Sequence, residues 1–284
     1  MDSVDDRTHT AVTAGGLTFD VEDSGPADGP PIVLLHGFPE TSACWRPLTP
    51  LLTAAGHRVI APSQRGYSPG ARPVGVEHYS IELLGADVVA LMDATGIASA
   101  HVVGHDWGAV VAWWLAAHHP ERVESLTAVS VPHPSAFGWA LREDADQQKR
   151  SRYISVFRNG QVAEKLLLDD DAKRLRAAYG DLDPDQVAEH VRALTEPGAL
   201  TAALSWYRAM RADFGGIPPV RVPTTYVWGS ADEALGRAGA ERCGEFVDAP
   251  YRFVELDGVS HWIPEQAPDA LAEAVLARIE GNEK

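Results

Sequence analysis

The sequence predicts an α/β protein in which a mostly parallel central sheet carries helices on both faces. Short, continuous apolar runs alternate with segments whose apolar residues recur at helical spacing. That alternation implies right-handed crossovers between parallel strands. It stops between residues 133 and 218, where charged, helix-prone segments replace the buried strands. We therefore expect a helical insertion within an otherwise alternating fold.

Length, composition and charge limit the kind of protein. The chain has 284 residues, 45% of them hydrophobic, which suits one domain, with or without a sizeable insertion, around a large core. Its formal net charge of −16 argues against nucleic acid or an anionic membrane as the main partner, because an acidic surface repels both. We expect a small, neutral ligand, and a protein that is a monomer or a homodimer.

The cysteines and the N-terminal residues predict the compartment. Cys44 and Cys243 are the only cysteines and lie far apart in the sequence, so no disulfide framework is expected. Residues Met1 to Asp6 are acidic, and no run approaches the ~18 apolar residues of a transmembrane helix. These features predict a soluble, cytoplasmic protein.

The first half of the chain is expected to contain a hairpin followed by alternating strands and helices. Gly15-Gly16 separates two runs with rough alternation, which predicts an antiparallel hairpin of Thr8 to Ala14 and Leu17 to Glu22. Continuous apolar runs predict buried strands at Ile32 to Leu35, Arg58 to Ala61, His101 to Val103 and Val123 to Val131. Between them we expect helices that end at about Ala55 and at Thr95, each followed by a glycine.

The second half is expected to begin with the helical insertion and to return to alternating strands and helices. Within the insertion, helices are predicted at Asp144 to Phe157, Val162 to Tyr179, Pro184 to Leu194 and Leu200 to Ala212. Paired glycines and paired prolines at Gly215 to Pro219 predict the hinge that closes it. The last elements are strands Thr224 to Trp228 and Tyr251 to Leu256, with helices near Ala238 to Val247 and Pro264 to Ile279. The predicted core domain is residues 1–132 and 219–284, and the predicted helical domain is residues 133–218.

A sharp turn between a predicted strand and a predicted helix carries the first reactive residue. The stretch is Gly104-His105-Asp106-Trp107-Gly108. Gly-x-nucleophile-x-Gly in this position is a nucleophile elbow, whose glycines let the strand and the helix approach closely. Where the commoner pattern has serine, this chain has Asp106. A carboxylate is anionic at neutral pH and can attack carbon without a base to remove a proton.

Partners for Asp106 are expected beyond the carboxyl ends of other strands, where functional groups gather in an open α/β sheet. Asp232 follows the strand predicted to end at Trp228, and His261 follows the strand predicted to end at Leu256. The order nucleophile, acid, histidine is the one expected for a fold with this elbow. A turn aspartate or a loop histidine alone would be ordinary, but the three residues together indicate a catalytic triad.

These motifs resemble those of α/β-hydrolases of the epoxide hydrolase group, over about residues 15 to 280. The matching segments are His36-Gly37-Phe38-Pro39-Glu40 with Trp45-Arg46, Arg65-Gly66-Tyr67, the elbow, Trp206-Tyr207-Arg208, Asp232 and His261-Trp262. The resemblance implies an α/β-hydrolase fold in which the helical insertion is a cap, or lid, with two tyrosines that bind the epoxide oxygen. Tyr207 matches the second of these through its Trp-Tyr-Arg context, and Tyr153 is the candidate for the first.

The chemistry of these residues is consistent with opening an epoxide to a vicinal diol. Asp106 would attack an epoxide carbon and form an ester, while a tyrosine hydroxyl, a neutral donor at pH 7, would meet the oxygen. His261, oriented by Asp232, would then deprotonate the water that hydrolyses the ester. The backbone N–H groups of Phe38 and Trp107 are expected to form the oxyanion hole.

Residues around the elbow and in the insertion are expected to bind the substrate. The predicted substrate-binding residues are Phe38, Pro39, Trp107, Tyr153, Tyr207 and Trp262. The sequence contains no phosphate-binding glycine motif. The stretch from His118 to Glu121 has no second ligand group spaced to complete a metal site. We therefore predict no cofactor and no metal.

Other functions stay open from the residues alone. A haloalkane dehalogenase would use the same aspartate, ester and histidine, but such proteins commonly have asparagine after His-Gly, where this chain has Phe38. A fluoroacetate-type dehalogenase would have arginine beside the nucleophile, where this chain has Trp107. A non-catalytic ligand-binding homologue would need none of the three triad residues.

Overall fold

The structure is a computed structural model that describes residues 8–211 and 216–281, except for the side chain of Gln161. The described strands are β1 (Thr8–Ala14), β2 (Leu17–Ser24), β3 (Pro31–Leu35), β4 (Arg58–Pro62), β5 (Ala100–His105), β6 (Val123–Val129), β7 (Thr224–Gly229) and β8 (Tyr251–Leu256). They form one sheet in the order β1-β2-β4-β3-β5-β6-β7-β8. β2 is antiparallel to both β1 and β4, and the remaining neighbours are parallel. The predicted mostly parallel sheet is confirmed.

The described helices follow the strands in chain order. They are α1 (Thr49–Ala54), α2 (Ile81–Ala94), α3 (Trp107–His118), α4 (Pro134–Glu143), α5 (Ala145–Arg150), α6 (Arg152–Phe157), α7 (Gly160–Ala177), α8 (Pro184–Thr195), α9 (Ala199–Ala209), α10 (Arg237–Arg242), α11 (Ile263–Gln266) and α12 (Pro268–Ile279). Short 3-10 helices occur at Ser42–Trp45, Pro69–Ala71, Val76–Tyr79, Pro120–Arg122 and Cys243–Phe246. Within the described ranges, no helix combines the length and the apolar character that crossing a bilayer requires.

Alternate residues of the central strands pack into two different hydrophobic layers. In β3, Ile32 and Leu34 pack in the layer that contains α1 and α12, whereas Val33 and Leu35 pack in the layer that contains α2 and α3. Successive side chains of a strand point to opposite faces, so a strand covered on both faces is apolar along its whole length. The helices therefore cover both faces of the sheet, as the sequence predicts.

Helices α4 to α9 lie between β6 and β7 in the chain and sit over the loops at the carboxyl edge of the sheet. Trp206 of α9 donates its indole N–H to the carbonyl oxygen of Arg65, after β4, at 2.9 Å. Tyr179, which follows α7, donates its hydroxyl to the carbonyl oxygen of Pro39, after β3, at 2.6 Å. These bonds hold the helical segment, residues 134–209, above the strand ends where the sequence motifs lie.

The alternating part of the chain differs from the prediction where proline occurs. The helix expected to run through to Ala55 is instead a 3-10 helix followed by α1, because Pro47 has no N–H to continue a helix. The last helix is divided into α11 and α12 at Pro268, since the residue before a proline is disfavoured in helical geometry. Strand and helix order are unaffected by either break.

The helical segment differs from the prediction at two places. A helix that the sequence analysis missed, α4, begins at Pro134, and a proline in the first turn is a common helix start. The helix expected from Val162 to Tyr179 is interrupted at Asp169, after which three consecutive residues have positive φ. Ala212, predicted to end the last of these helices, and Gly215 of the predicted hinge lie outside the described residues.

Candidate active site

Asp106 occupies the turn between β5 and α3. Its φ of 51° and ψ of −121° form a conformation that L residues rarely adopt, and such strain persists mainly at functional sites. A Cβ on Gly104 would overlap with the carbonyl oxygen of Gly108, and one on Gly108 would overlap with the carbonyl oxygen of Leu35. The close approach of strand and helix therefore requires both glycines, which is the physical basis of the elbow pattern.

The two carboxylate oxygens of Asp106 have different surroundings. Oδ1 accepts the backbone N–H of Phe38 at 2.8 Å, and Oδ2 lies 3.5 Å from Nε2 of His261. Gly37 leaves room for this arrangement, because a Cβ at that position would overlap with the Asp106 side chain. The loop after β3 thus fixes one oxygen and leaves the other turned toward the histidine.

Asp232 orients His261 from the loop after β7. Nδ1 of His261 donates to Oδ2 of Asp232 at 2.8 Å, and Oδ1 of Asp232 accepts the backbone N–H groups of Ala234 and Leu235 at 2.7 and 2.9 Å. Burial opposes protonation of His261, but the negative charges of Asp232 and Asp106 raise its pKa well above the usual range. The structure brings the three predicted triad residues together, with a charged imidazole between two carboxylates.

A cavity of about 430 Å³ opens onto Asp106 and is lined by both candidate tyrosines. Tyr153 lies on α6 and Tyr207 on α9, and their ring centroids are 6.3 Å apart. Burial is the main cause that raises the pKa of each hydroxyl above the usual range, and the charge of Asp106 adds to it. Both hydroxyls are therefore neutral hydrogen-bond donors at neutral pH.

Three of the six predicted substrate-binding residues do not line this cavity. Trp107 does, with Tyr153 and Tyr207, whereas Phe38, Pro39 and Trp262 lie behind its wall. The Phe38 ring packs edge-on against the Tyr207 ring at a centroid distance of 5.4 Å. Tyr179 covers the other two, since it binds the carbonyl oxygen of Pro39 and packs against Trp262 at 5.4 Å. The side chains of all three are committed to supporting contacts.

The sequence analysis missed most of the apolar cavity wall. The missed residues include Val110, Val131, Pro134, Phe137, Met210 and Leu235. No motif marks them, because any apolar side chain can line a pocket and only packing decides which ones do. The proline at the start of α4 was the one local signal that a helix, and hence wall residues, begins there.

A second group of buried ionisable residues lies behind the elbow. The His105 ring is 2.9 Å from Oε2 of Glu40 through Nδ1 and 2.9 Å from the carbonyl oxygen of His261 through Nε2. On the other side of Glu40 lie His190 of α8 and Glu265 of α11, and both are buried. This group, which we call the buried carboxyl cluster, joins the core to the helical segment.

The buried carboxyl cluster contains the one set of residues with metal-ligand spacing in the described ranges. Ligand atoms of Glu40, His190 and Glu265 all lie within 4.8 Å of one another. Burial and the neighbouring charge of Glu40 raise the pKa of Glu265 well above the usual range, so a proton on Glu265 can supply the positive charge between the two carboxyl groups. The Nδ1 atom of His190 already accepts the N–H of Thr41 at 3.2 Å. The residues present fit a shared proton better than a metal ion.

Comparison with known proteins shows similarity along almost the whole chain. The family model for the alpha/beta hydrolase fold matches residues 30–268. AB hydrolase superfamily protein YfhM of Bacillus subtilis is 36% identical over 93% of this chain and 95% of its own length. Epoxide hydrolase A of Mycobacterium tuberculosis is 34% identical over 97% of this chain and 98% of its own. The crystal structure of Epoxide Hydrolase A from Mycobacterium thermoresistibile superposes with a TM-score of 0.85 at 29% identity, covering 97% of this chain and 98% of that one.

Proposed function

Because the chain belongs to the α/β-hydrolase superfamily and to its epoxide hydrolase group, we propose that it opens an epoxide to a vicinal diol through an ester on Asp106. One observation carries the proposal. Asp106, in contact distance of His261, faces a cavity that two tyrosines also line. A carbon electrophile, an anionic nucleophile and neutral donors for the leaving oxygen can meet in that space.

In the first step the Oδ2 atom of Asp106 attacks an epoxide carbon. Oδ1 is held by the N–H of Phe38, so Oδ2 is the oxygen free to form the new bond. The carbon–oxygen bond of the ring breaks as a hydroxyl proton of Tyr153 or Tyr207 passes to the departing oxygen. Because burial keeps both tyrosines protonated, they stabilise charge only as it develops on that oxygen.

In the second step the ester itself changes the properties of His261. Esterification removes the charge of Asp106, one of the two anions that raise the pKa of His261. The imidazole therefore gives up its proton more readily and becomes a base for the attacking water. Water transfers a proton to His261 as its oxygen bonds to Cγ, and the diol oxygen takes that proton as it leaves. The new carboxylic acid of Asp106 returns its proton to the tyrosine.

The oxyanion of the second step forms on Oδ1, where the N–H of Phe38 already lies 2.8 Å away. Trp107 opens α3, and the first N–H groups of a helix have no partner within it. Its N–H is the proposed second donor. Each such donor typically lowers the barrier by roughly 3 kcal/mol.

We also propose the division into domains and the compartment. Residues 1–132 and 219–284 would form the core and residues 133–218 the cap, because α4 to α9 supply both tyrosines and the core supplies the triad. Burial raises the pKa of the free thiols of Cys44 and Cys243, so neither is a reactive thiolate. Two unpaired cysteines support a reducing cytoplasm.

A single turnover in heavy-oxygen water tests the ester. With enzyme in excess over a styrene-type epoxide, we expect the label in the peptide that contains Asp106 and an unlabelled diol, since the first oxygen delivered to carbon comes from the carboxylate. Label in the diol alone would overturn the ester mechanism. Asp106→Asn is the control and should not turn over. Aliphatic epoxides and haloalkanes complete the panel, and turnover of haloalkanes alone would favour a dehalogenase.

A further inference from the structure

Gln147 is a buried amide that links the helical segment to the loop carrying Asp232. It lies on α5 and is 1% exposed. Its Nε2 donates to the carbonyl oxygen of Ala234 and to the hydroxyl of Ser151, both at 2.8 Å, and its Oε1 accepts the N–H of Gly236 at 2.7 Å. Both amide protons and the amide oxygen are therefore used, and the partners fix which end is oxygen.

The turn that Gln147 binds is the same turn that holds the Asp232 carboxylate. Asp232 Oδ1 accepts the N–H groups of Ala234 and Leu235, while Gln147 binds the carbonyl of Ala234 and the N–H of Gly236 from outside. Arg150, one turn further along α5, donates to the carbonyl oxygen of Asp232 at 2.5 Å. A shift of this turn would move the carboxylate oxygen that binds His261, because both are attached to the same few peptide units.

The other partner of Gln147 leads to the first tyrosine. Ser151 immediately precedes α6, and Tyr153 stands two residues later on that helix. The Ser151 backbone N–H also bonds to the carbonyl oxygen of Gln147 at 2.9 Å. One side chain thus contacts the turn of the acid and the start of the tyrosine helix. Both ends of that connection reach the cavity, through Leu235 and Tyr153.

We propose that Gln147 is a positioning residue that sets Asp232 and Tyr153 relative to each other, so that it governs both half-reactions without touching substrate. This inference rests on the proposed function, in which the tyrosine serves alkylation and the acid serves ester hydrolysis. Removing the amide leaves the buried Ala234 carbonyl and Gly236 N–H without partners, and such groups shift to recover a hydrogen bond. Displacements well under 1 Å at groups that act on the reacting atoms are enough to slow catalysis.

Gln147→Leu measured in single turnover is the first test. Rapid quenching followed by intact-mass analysis gives the rates of ester formation and ester loss separately. We expect both rates to fall at least about tenfold, because geometry is lost at both ends. In contrast, Tyr153→Phe should slow formation alone, and Asp232→Asn should slow ester loss more than formation. A folded Gln147→Leu protein in which either rate stays within about twofold of wild type would overturn the proposal.

Gln147→Glu and Gln148→Glu form a matched pair, because they add the same charge one residue apart. Gln148 is exposed, so its variant should keep wild-type rates. A glutamate at position 147 faces the Ala234 carbonyl, Asp146, Arg150 and Asp232, and only its protonated form can donate to that carbonyl. The ratio of Gln147→Glu to wild-type activity should therefore rise as the pH falls. A flat ratio, or equal losses in both variants, would contradict the assignment.

A readout without substrate separates this inference from the proposed function. The proton in the His261–Asp232 hydrogen bond gives a downfield resonance in the proton spectrum. We expect that resonance to move or broaden in Gln147→Leu and to stay in place in Gln148→Glu. An unmoved resonance would overturn the positioning role even if epoxides are hydrolysed. A moved resonance in a protein that hydrolyses no epoxide would instead discard the proposed function.

Discussion

At the scale of single residues, reactivity follows from what each polar atom can reach. Asp106 has one oxygen held by the Phe38 N–H and one facing His261, so a symmetric carboxylate acquires two distinct roles. His261 lies between Asp106 and Asp232, and its pKa depends on whether Asp106 carries charge. The same three groups can therefore favour attack on carbon first and activation of water second.

The two tyrosines give the prediction that belongs to this scale. Tyr153→Phe and Tyr207→Phe remove hydroxyl groups that face the same cavity as Asp106. Loss of a general acid typically costs about 100-fold to 10,000-fold. We expect the double variant to slow ester formation by about that factor and ester hydrolysis far less, measured by rapid-quench single turnover. Unchanged ester formation in the double variant would show that the hydroxyls do not activate the epoxide oxygen.

At the scale of elements, the site depends on how closely α3 packs against the strands. Gly104 ends on the strand side of the elbow and Gly108 on the helix side, and neither position has room for a methyl group. The obstructing atoms are backbone atoms, which cannot rotate away as a side chain can. The strained backbone of Asp106 is held in place by this contact.

Gly108→Ala tests that contact. The added methyl group would overlap with the carbonyl oxygen of Leu35, so we expect a loss of unfolding free energy of about 1–3 kcal/mol or more, with loss of activity. Gly239→Ala is the matched control on α10, where the added Cβ would lie 3.5 Å from the Cβ of Ala140, an ordinary contact. That variant should be neutral or stabilising by up to about 1 kcal/mol. Chemical denaturation of both proteins gives the comparison, and equal stability losses would contradict it.

At the scale of the whole molecule, ionisable groups are buried where the core meets the helical segment. The buried carboxyl cluster includes Glu40 after β3, His190 on α8 and Glu265 on α11. Burial of Glu265 beside the charge of Glu40 favours its neutral form. Folding therefore takes up a proton at pH values where the unfolded chain would have released it, and stability depends on pH.

Glu265→Gln tests this dependence. The folded pKa of Glu265 lies above its unfolded value, so the native state binds more protons and the free energy of unfolding falls as the pH rises through that interval. The slope from one proton is at most about 1.4 kcal/mol per pH unit. We expect Glu265→Gln to unfold with a flatter pH dependence and to gain stability over wild type as the pH rises above about 5. Glu273→Gln, an exposed change of the same charge on α12, should follow wild type. A wild-type slope retained in Glu265→Gln would place the proton elsewhere.

The features that local sequence fully specifies are the ones that the sequence predicted. Continuous apolar runs identify β3, β5 and β7 because a strand covered on both faces has no polar positions. The elbow motif identifies Asp106 because only glycine tolerates the close approach on either side. Interruptions by Pro47 and Pro268, and the start of α4, were missed although each has a local cause.

What the sequence determined by itself was the fold class, the order of the elements and the placement of Asp106, Asp232 and His261 at strand ends, since each depends on short-range pattern. Only the tertiary structure decided which apolar residues line the cavity and that Gln147 binds the turn after Asp232. It also decided how far the pKa of His261 rises. These properties arise from atoms far apart in the chain, whose distances and burial no local pattern encodes.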